Sequence, residues 1–254
     1  MKDINILINN GVDVNASLEI FGDMELYDET IVDFLNSVHG KLDELKKYKE
    51  VGDMNNYAIL VHSLKSDAKY LGFTKLAELS YAHELQSKAG NYGFVLEHFD
   101  ELISEANRII KLATYYNDGT KVVEEEVVSN PNLKKLLVVD DSDIIRNIIK
   151  KIFNNEFEVL SAKDGNEAIT MVSNNENLIG LLLDLNMPNV DGFAVLNFFR
   201  DNNLFDKVPV AIITGDDSKE TTERAFAYSV VDVLNKPFNE SNVKRVVNAM
   251  MEFK

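Results

Sequence analysis

The chain has no cysteine, which excludes a disulfide frame and thiol chemistry and suits a reducing compartment. Positive charge is scarce: 26 Lys and Arg face 42 Asp and Glu, and the formal net charge of -16 is spread over both halves. With no basic patch, nucleic acid and anionic membrane surfaces are poor partners. No apolar run approaches the roughly 20 residues that span a bilayer. The amino terminus offers only a brief Ile-rich stretch behind Lys2 and Asp3, which does not read as a signal peptide. A soluble, cytoplasmic chain is expected.

What is present has two textures. At 254 residues one or two domains are expected, each large enough to bury a core. Up to residue 116 the pattern is helical. Ile31, Phe34, Leu35, Val38, Leu42 and Leu45 recur at three- and four-residue steps, which marks one face of an amphipathic helix. Asp53 reads as an N-cap and Gly72 as the glycine that ends the same helix. Thr74 reads as the cap of a third helix running to Gly90, and Phe99, Leu102, Ile103, Ala106, Ile110 and Ala113 mark a fourth. An antiparallel four-helix bundle is expected over 1–116, with a shorter turn around Leu18 to Phe21 before it.

The second of these helices carries His62-Ser63-Leu64-Lys65-Ser66-Asp67 and ends at Leu71-Gly72. Its apolar seam is Val61, Leu64, Ala68 and Leu71, which leaves His62, Lys65, Ser66 and Lys69 on an opposite, wet face. An exposed imidazole is a competent nucleophile, and a lysine one turn on can neutralise an incoming phosphoryl group. His39, His83 and His98 lack such a neighbourhood and read as ordinary surface residues. The stretch resembles the histidine phosphotransfer (HPt) domain motif, His-x-x-Lys, a small residue and a later glycine, over about residues 11 to 113. That resemblance implies that His62 accepts a phosphoryl group and Lys65 supports it. Ser66 stands where the family usually has glycine.

Between 117 and 132 the pattern stops. Asn117-Asp118-Gly119 is a turn signal, Glu124-Glu125-Glu126 an acidic run, and Pro131 a stop, so an acidic linker is expected. From 133 to 254 short apolar runs alternate with helical patterns: Leu136 to Val139, Phe157 to Leu160, the run ending at Asp184, Val208 to Ile213, and Val231 to Leu234. Five such β/α units build a doubly wound α/β fold, a five-stranded parallel sheet with helices on both faces and its site at the strands' carboxyl ends.

Chemistry-bearing residues stand at those ends: Asp140 and Asp141 after the first strand, Asp184 after the third, Thr214 after the fourth, Lys236 after the fifth. Carboxylates crowded at one edge repel unless a cation joins them, and hard oxygen ligands suit Mg²⁺. Lys236 and Thr214 would hold phosphoryl oxygens while Asp184 attacks as a carboxylate nucleophile. This constellation resembles the flavodoxin-like receiver domain of response regulators. The resemblance implies that Asp184 is the phospho-acceptor and that Asp141, Asp184 and the backbone carbonyl of Asn186 hold Mg²⁺, with Asp140 supporting the metal through water. It also implies, as partners, a sensor histidine kinase or hybrid kinase and other receiver or HPt proteins, and it allows a homodimer. Asn186 and Asp216 are expected to flank the path of a hydrolytic water. Val233 departs from the aromatic residue many receivers carry there.

The expected function is therefore a two-component phosphorelay protein, passing phosphate between His62, Asp184 and partners, without an activity on outside substrates. One alternative is a Mg²⁺-dependent haloacid-dehalogenase-like phosphohydrolase, because Asp141-Ser142-Asp143 has the spacing with which those enzymes begin. Another keeps the receiver and makes the bundle a docking or dimerisation scaffold.

Overall fold

The structure is a computed structural model that describes residues 2–117, 134–175, 177–215 and 218–253. The expected linker, apart from Asn117, and Asp216 lie outside the described residues. The chain divides into two compact units, Met1–Glu126 and Val127–Lys254. No described helix is long and apolar enough to cross a membrane.

The first unit contains six helices among the described residues: α1 (Asn5–Ile8), α2 (Val14–Phe21), α3 (Met24–Val51), α4 (Met54–Tyr70), α5 (Thr74–Lys88) and α6 (Tyr92–Asn117). The four long elements anticipated from the sequence are α3 to α6, and α1 and α2 add to them. Asp23 and Asp53 cap α3 and α4, each side chain accepting a backbone N–H in the first turn, which satisfies donors the helix itself cannot pair. α4 is followed by Gly72 at φ +71°, where an added Cβ would lie 2.3 Å from the Asp13 carbonyl oxygen. Only glycine suits that turn. Thr74 is not a cap: it is the first helical residue, and Phe73 holds the N-cap position without a side-chain acceptor. Packing decides this, since Phe73 is buried with its ring centroid 5.3 Å from that of Phe34.

α4 is enclosed by α2, α3 and α5, and every residue from Leu60 to Ala68 is buried. That run exceeds two helical turns, so this stretch has no wet face.

The second unit is a five-stranded sheet in the order β2-β1-β3-β4-β5, with every pairing parallel. Its strands are β1 (Lys135–Val139), β2 (Glu158–Ala162), β3 (Leu178–Asp184), β4 (Val210–Thr214) and β5 (Asp232–Asn235). Its helices are α7 (Asp143–Phe153), α8 (Gly165–Asn174), α9 (Gly192–Asp201), α10 (Lys219–Phe226) and α11 (Glu240–Glu252). Strand alternation sends Leu137, Val139, Leu181, Leu183, Val210 and Ile212 into one core with α8, α9 and α10. On the other face an added Cβ at Gly180 would meet Met250 of α11 at 2.3 Å. Both faces are thus covered, as unbroken apolar strands such as Leu181–Leu183 require, each buried leucine stabilising by about 1.5–3 kcal/mol.

Candidate functional site

The carboxyl edge of the sheet gathers the residues that the sequence placed at strand ends. Asp140 directly follows β1 and Asp184 ends β3, and both are fully buried. Asp140 Oδ1 accepts from the Ser142 amide at 3.0 Å, and Asp184 Oδ1 accepts from the Asn186 amide at 3.1 Å. Arg146 of α7 donates to the Asp140 carbonyl and to the Asp143 carboxylate, tying the acidic loop to the helix behind it. The turn after β3 is equally constrained: the Gly192 amide donates to the Leu185 carbonyl at 3.1 Å, and a Cβ at Gly192 would come within 2.3 Å of the Asp184 carbonyl oxygen.

Lys236 reaches into this edge from the loop after β5. Its Nζ lies 2.8 Å from Asp140 Oδ2 and 2.7 Å from Asp184 Oδ2, and its amide donates to the Thr214 carbonyl at 2.7 Å. The peptide to Pro237 is cis. Thr214 ends β4 and is buried. Burial alone would depress the Lys236 ammonium, but Asp140, Asp184 and Asp141 outweigh it and hold its pKa above the ordinary lysine value. Asp140 is pushed up to about 6, chiefly by burial, with Lys236 opposing the shift and Asp184 adding to it. An acid held in such a balance responds strongly to any change of nearby charge.

Asp140, Asp141 and Asp184 each offer a carboxylate oxygen, and these atoms all lie within 4.8 Å of one another. Three hard anionic donors at that separation fit a small divalent cation better than a lone ammonium can, and they match the preference of Mg²⁺ for oxygen ligands. Asp143 does not join them: it sits in the first turn of α7, half-exposed and ion-paired with Arg146. The Asp-x-Asp spacing therefore does not bring its two carboxylates to one centre.

In the helical unit the expected exposure of His62 is overturned. His62 is 2% exposed, and Lys65 and Ser66 are buried with it, on a helix against which α5 packs closely. His62 Nδ1 lies 2.7 Å from Glu84 Oε1, Lys65 Nζ 2.6 Å from Glu84 Oε2, and Lys88 Nζ 2.7 Å from Glu84 Oε1. Burial alone would raise the Glu84 pKa, yet His62, Lys65 and Lys88 hold it far below the ordinary carboxylate range. Burial lowers Lys65, with Glu84 pulling the other way; the 2.6 Å contact is that of a charged pair. Glu84 is the residue that sequence reasoning missed. Its signal was its place on the inward stripe of α5 with Ala77 and Ser80, where a carboxylate needs partners.

His83 is likewise no surface residue. It is fully buried, 2.8 Å from the Tyr57 hydroxyl, with its other ring nitrogen 3.3 Å from the His98 carbonyl. Burial depresses its pKa.

A family model described as the response regulator receiver domain matches residues 136–248. The chemotaxis protein CheY1 of Helicobacter pylori strain J99 is 32% identical over 119 residues, which are 46% of this chain and 96% of that protein. The two-component response regulator-like protein PRR37 of Oryza sativa subsp. indica is 28% identical over 114 residues, 44% of this chain but only 15% of that protein's length. A solved receiver domain of the Francisella response regulator 1452 aligns with 32% identity and a TM-score of 0.43, covering 47% of this chain and 97% of the other. Through the segment that carries the acidic edge, this chain belongs to the response regulator receiver family.

Proposed function

We propose that the receiver accepts a phosphoryl group on Asp184 with the help of Mg²⁺. The observation that carries this reading is the convergence of Asp140, Asp141 and Asp184 within 4.8 Å on an ammonium, Lys236, that already bridges two of them. The carboxylates of Asp140, Asp141 and Asp184 and the backbone carbonyl of Asn186 are the ligands we assign to the metal, Asp140 through water. When bound, the ion supplies charge neutralisation at a phosphoryl oxygen. An Asp184 carboxylate oxygen attacks phosphorus, the bond to the donor breaks, and the donor's leaving atom keeps the electron pair. Lys236 follows the negative charge from Asp184 onto the phosphoryl oxygens, and the Thr214 hydroxyl donates to another of them. A phosphohistidine of a sensor or hybrid kinase, or of a phosphotransfer protein, is the donor that fits. The chain then acts only on its own phosphoryl group, as a cytoplasmic signalling protein and not as an enzyme on outside substrates. The test is beryllofluoride capture with Mg²⁺ by the full chain: Asp184→Asn should abolish it while the fold persists, and capture by that variant would reject the assignment.

For the helical unit we propose an HPt-like role, passing phosphate between His62 and receivers. The hydrogen bond between Nδ1 and Glu84 leaves nucleophilic attack to Nε2, and Lys65 Nζ, 3.3 Å from that same Nδ1, places a positive charge beside the imidazole. Burial of His62 favours a second reading, in which the unit only docks or dimerises. Transfer at His62 requires its imidazole to be uncovered. Phosphohistidine that forms in the intact chain and vanishes in His62→Gln supports the first reading; none under any donor supports the second.

A further inference from the structure

A second candidate site lies at the opposite end of the receiver from Asp184. α9 and α10 start near the carboxyl edge, where Gly192 bonds to Leu185 and α10 follows Thr214 after a short loop. Their carboxyl-terminal ends therefore fall at the other edge of the sheet. There Arg200, Phe205, Arg224, Ala227, Tyr228 and Ser229 line a cavity of about 300 Å³.

Two arginines lining one cavity are notable in a chain whose net charge is -16. Among the described residues Arg224 makes no ion pair, and Arg200 pairs with its exposed sequence neighbour Asp201 at 3.0 Å, a contact worth little in water. The Arg224 cation is stacked on a ring, and that of Arg200 stands near one. The Arg224 guanidinium carbon lies 3.6 Å from the Phe193 ring centroid and that of Arg200 5.9 Å from the Tyr228 ring. The rings are themselves held: their centroids are 6.3 Å apart, and the Tyr228 hydroxyl donates to Asn197 of α9 at 2.9 Å. A guanidinium stacked on a ring keeps its N–H edge available for an oxyanion. The remaining walls, Phe205, Ala227 and the Tyr228 ring, suit a flat apolar body. A volume at the lower end of the small-molecule range admits one such body and no more.

We propose that this cavity is a binding site for a mononucleotide, its phosphate monoester gripped by Arg200 and Arg224 and its base laid against Phe205 and Tyr228. A ligand there braces the end of α10 against α9, at a distance from the phosphorylation chemistry and independent of it.

The experiment is calorimetric titration of the full chain with 5′-AMP, 5′-GMP, 5′-CMP and 5′-UMP, in EDTA so that no metal–nucleotide complex can occupy the acidic edge. The expected result is saturable one-to-one binding of at least one of them below about 1 mM. Arg200→Gln and Arg224→Gln should each weaken it by about ten-fold or more, as should removal of the phosphate from the ligand. Both arginines are exposed, so the variants should melt with the parent chain, which separates lost binding from lost folding. Absence of saturation with all four nucleotides would overturn the proposal. So would binding unchanged in the double variant, or displacement of the nucleotide by hexaglutamate at lower concentration, which would make the cavity a dock for acidic peptide.

Discussion

The two units each bury a carboxylate that holds a lysine, and the two arrangements differ in what fixes them. In the receiver, Asp140, Asp184 and Lys236 sit where backbone topology ends: parallel strands stop at a common edge, and side chains there meet because the strands do. In the helical unit, Glu84, His62 and Lys65 meet because two helices happen to pack on those faces. The first arrangement leaves a site at the sheet's edge; the second closes one beneath a helix. Burial of ionisable groups thus follows from strand topology in one unit and from helix packing in the other.

The largest effect that could break this contrast is at Glu84. Glu84→Leu leaves His62 and Lys65 buried without their anion, and loss of one member of a buried ion pair costs about 3–5 kcal/mol. Chemical unfolding followed by helical circular dichroism should show the first unit weakened by that order while beryllofluoride capture by the receiver persists. The same residue sets a pH dependence. Because the folded pKa of Glu84 is depressed below the ordinary 4.5, its contribution is present above that pH and is lost as pH falls below it. The parent's helical unit should therefore lose stability on acidification, and Glu84→Gln should flatten that slope.

Gly192→Ala sharpens the comparison from the other side. Its Cβ would press within 2.3 Å of the Asp184 carbonyl oxygen, and such overpacking costs about 1–3 kcal/mol. The receiver's unfolding midpoint should fall and capture at Asp184 should weaken, with the helical unit untouched. Asp141→Ala removes one of three converging carboxylates without disturbing a strand. Mg²⁺ affinity, read by titration, should drop by about ten-fold or more at little expense in stability. The smallest effect is expected at Tyr57→Phe, which deletes the 2.8 Å contact to His83 and should cost about 1 kcal/mol in unfolding experiments.

The same difference explains what could be read from the sequence. Asp140, Asp141, Asp184, Thr214 and Lys236 were legible because each ends an apolar run or follows within two residues of one, and a run of that length fixes the sheet edge at which these side chains stand. Strand starts were less legible. The run beginning at Val208 pairs in β4 only from Val210, because Pro209 has no N–H to give and contributes only its carbonyl, to the Leu181 amide at 2.9 Å. In the helical unit, periodicity located the helices but not their exposure. The pattern of α4 assigns His62 to water, and nothing within α4 says that it will be buried. Glu84 and His83 were missed for the same reason: a polar residue on an inward stripe acquires its meaning from a partner helix, which a single helix does not reveal.

The most direct test of the account is to expose the full chain to a phosphohistidine donor with Mg²⁺ and map the label over time, using alkali to separate acyl phosphate, which it destroys, from phosphohistidine, which survives it. The account predicts rapid alkali-labile label at Asp184 that disappears in Asp184→Asn, with alkali-stable label at His62 appearing more slowly because the buried imidazole must first be uncovered. Undiminished alkali-labile label in Asp184→Asn, or label at His62 that accumulates before any at Asp184, would contradict it.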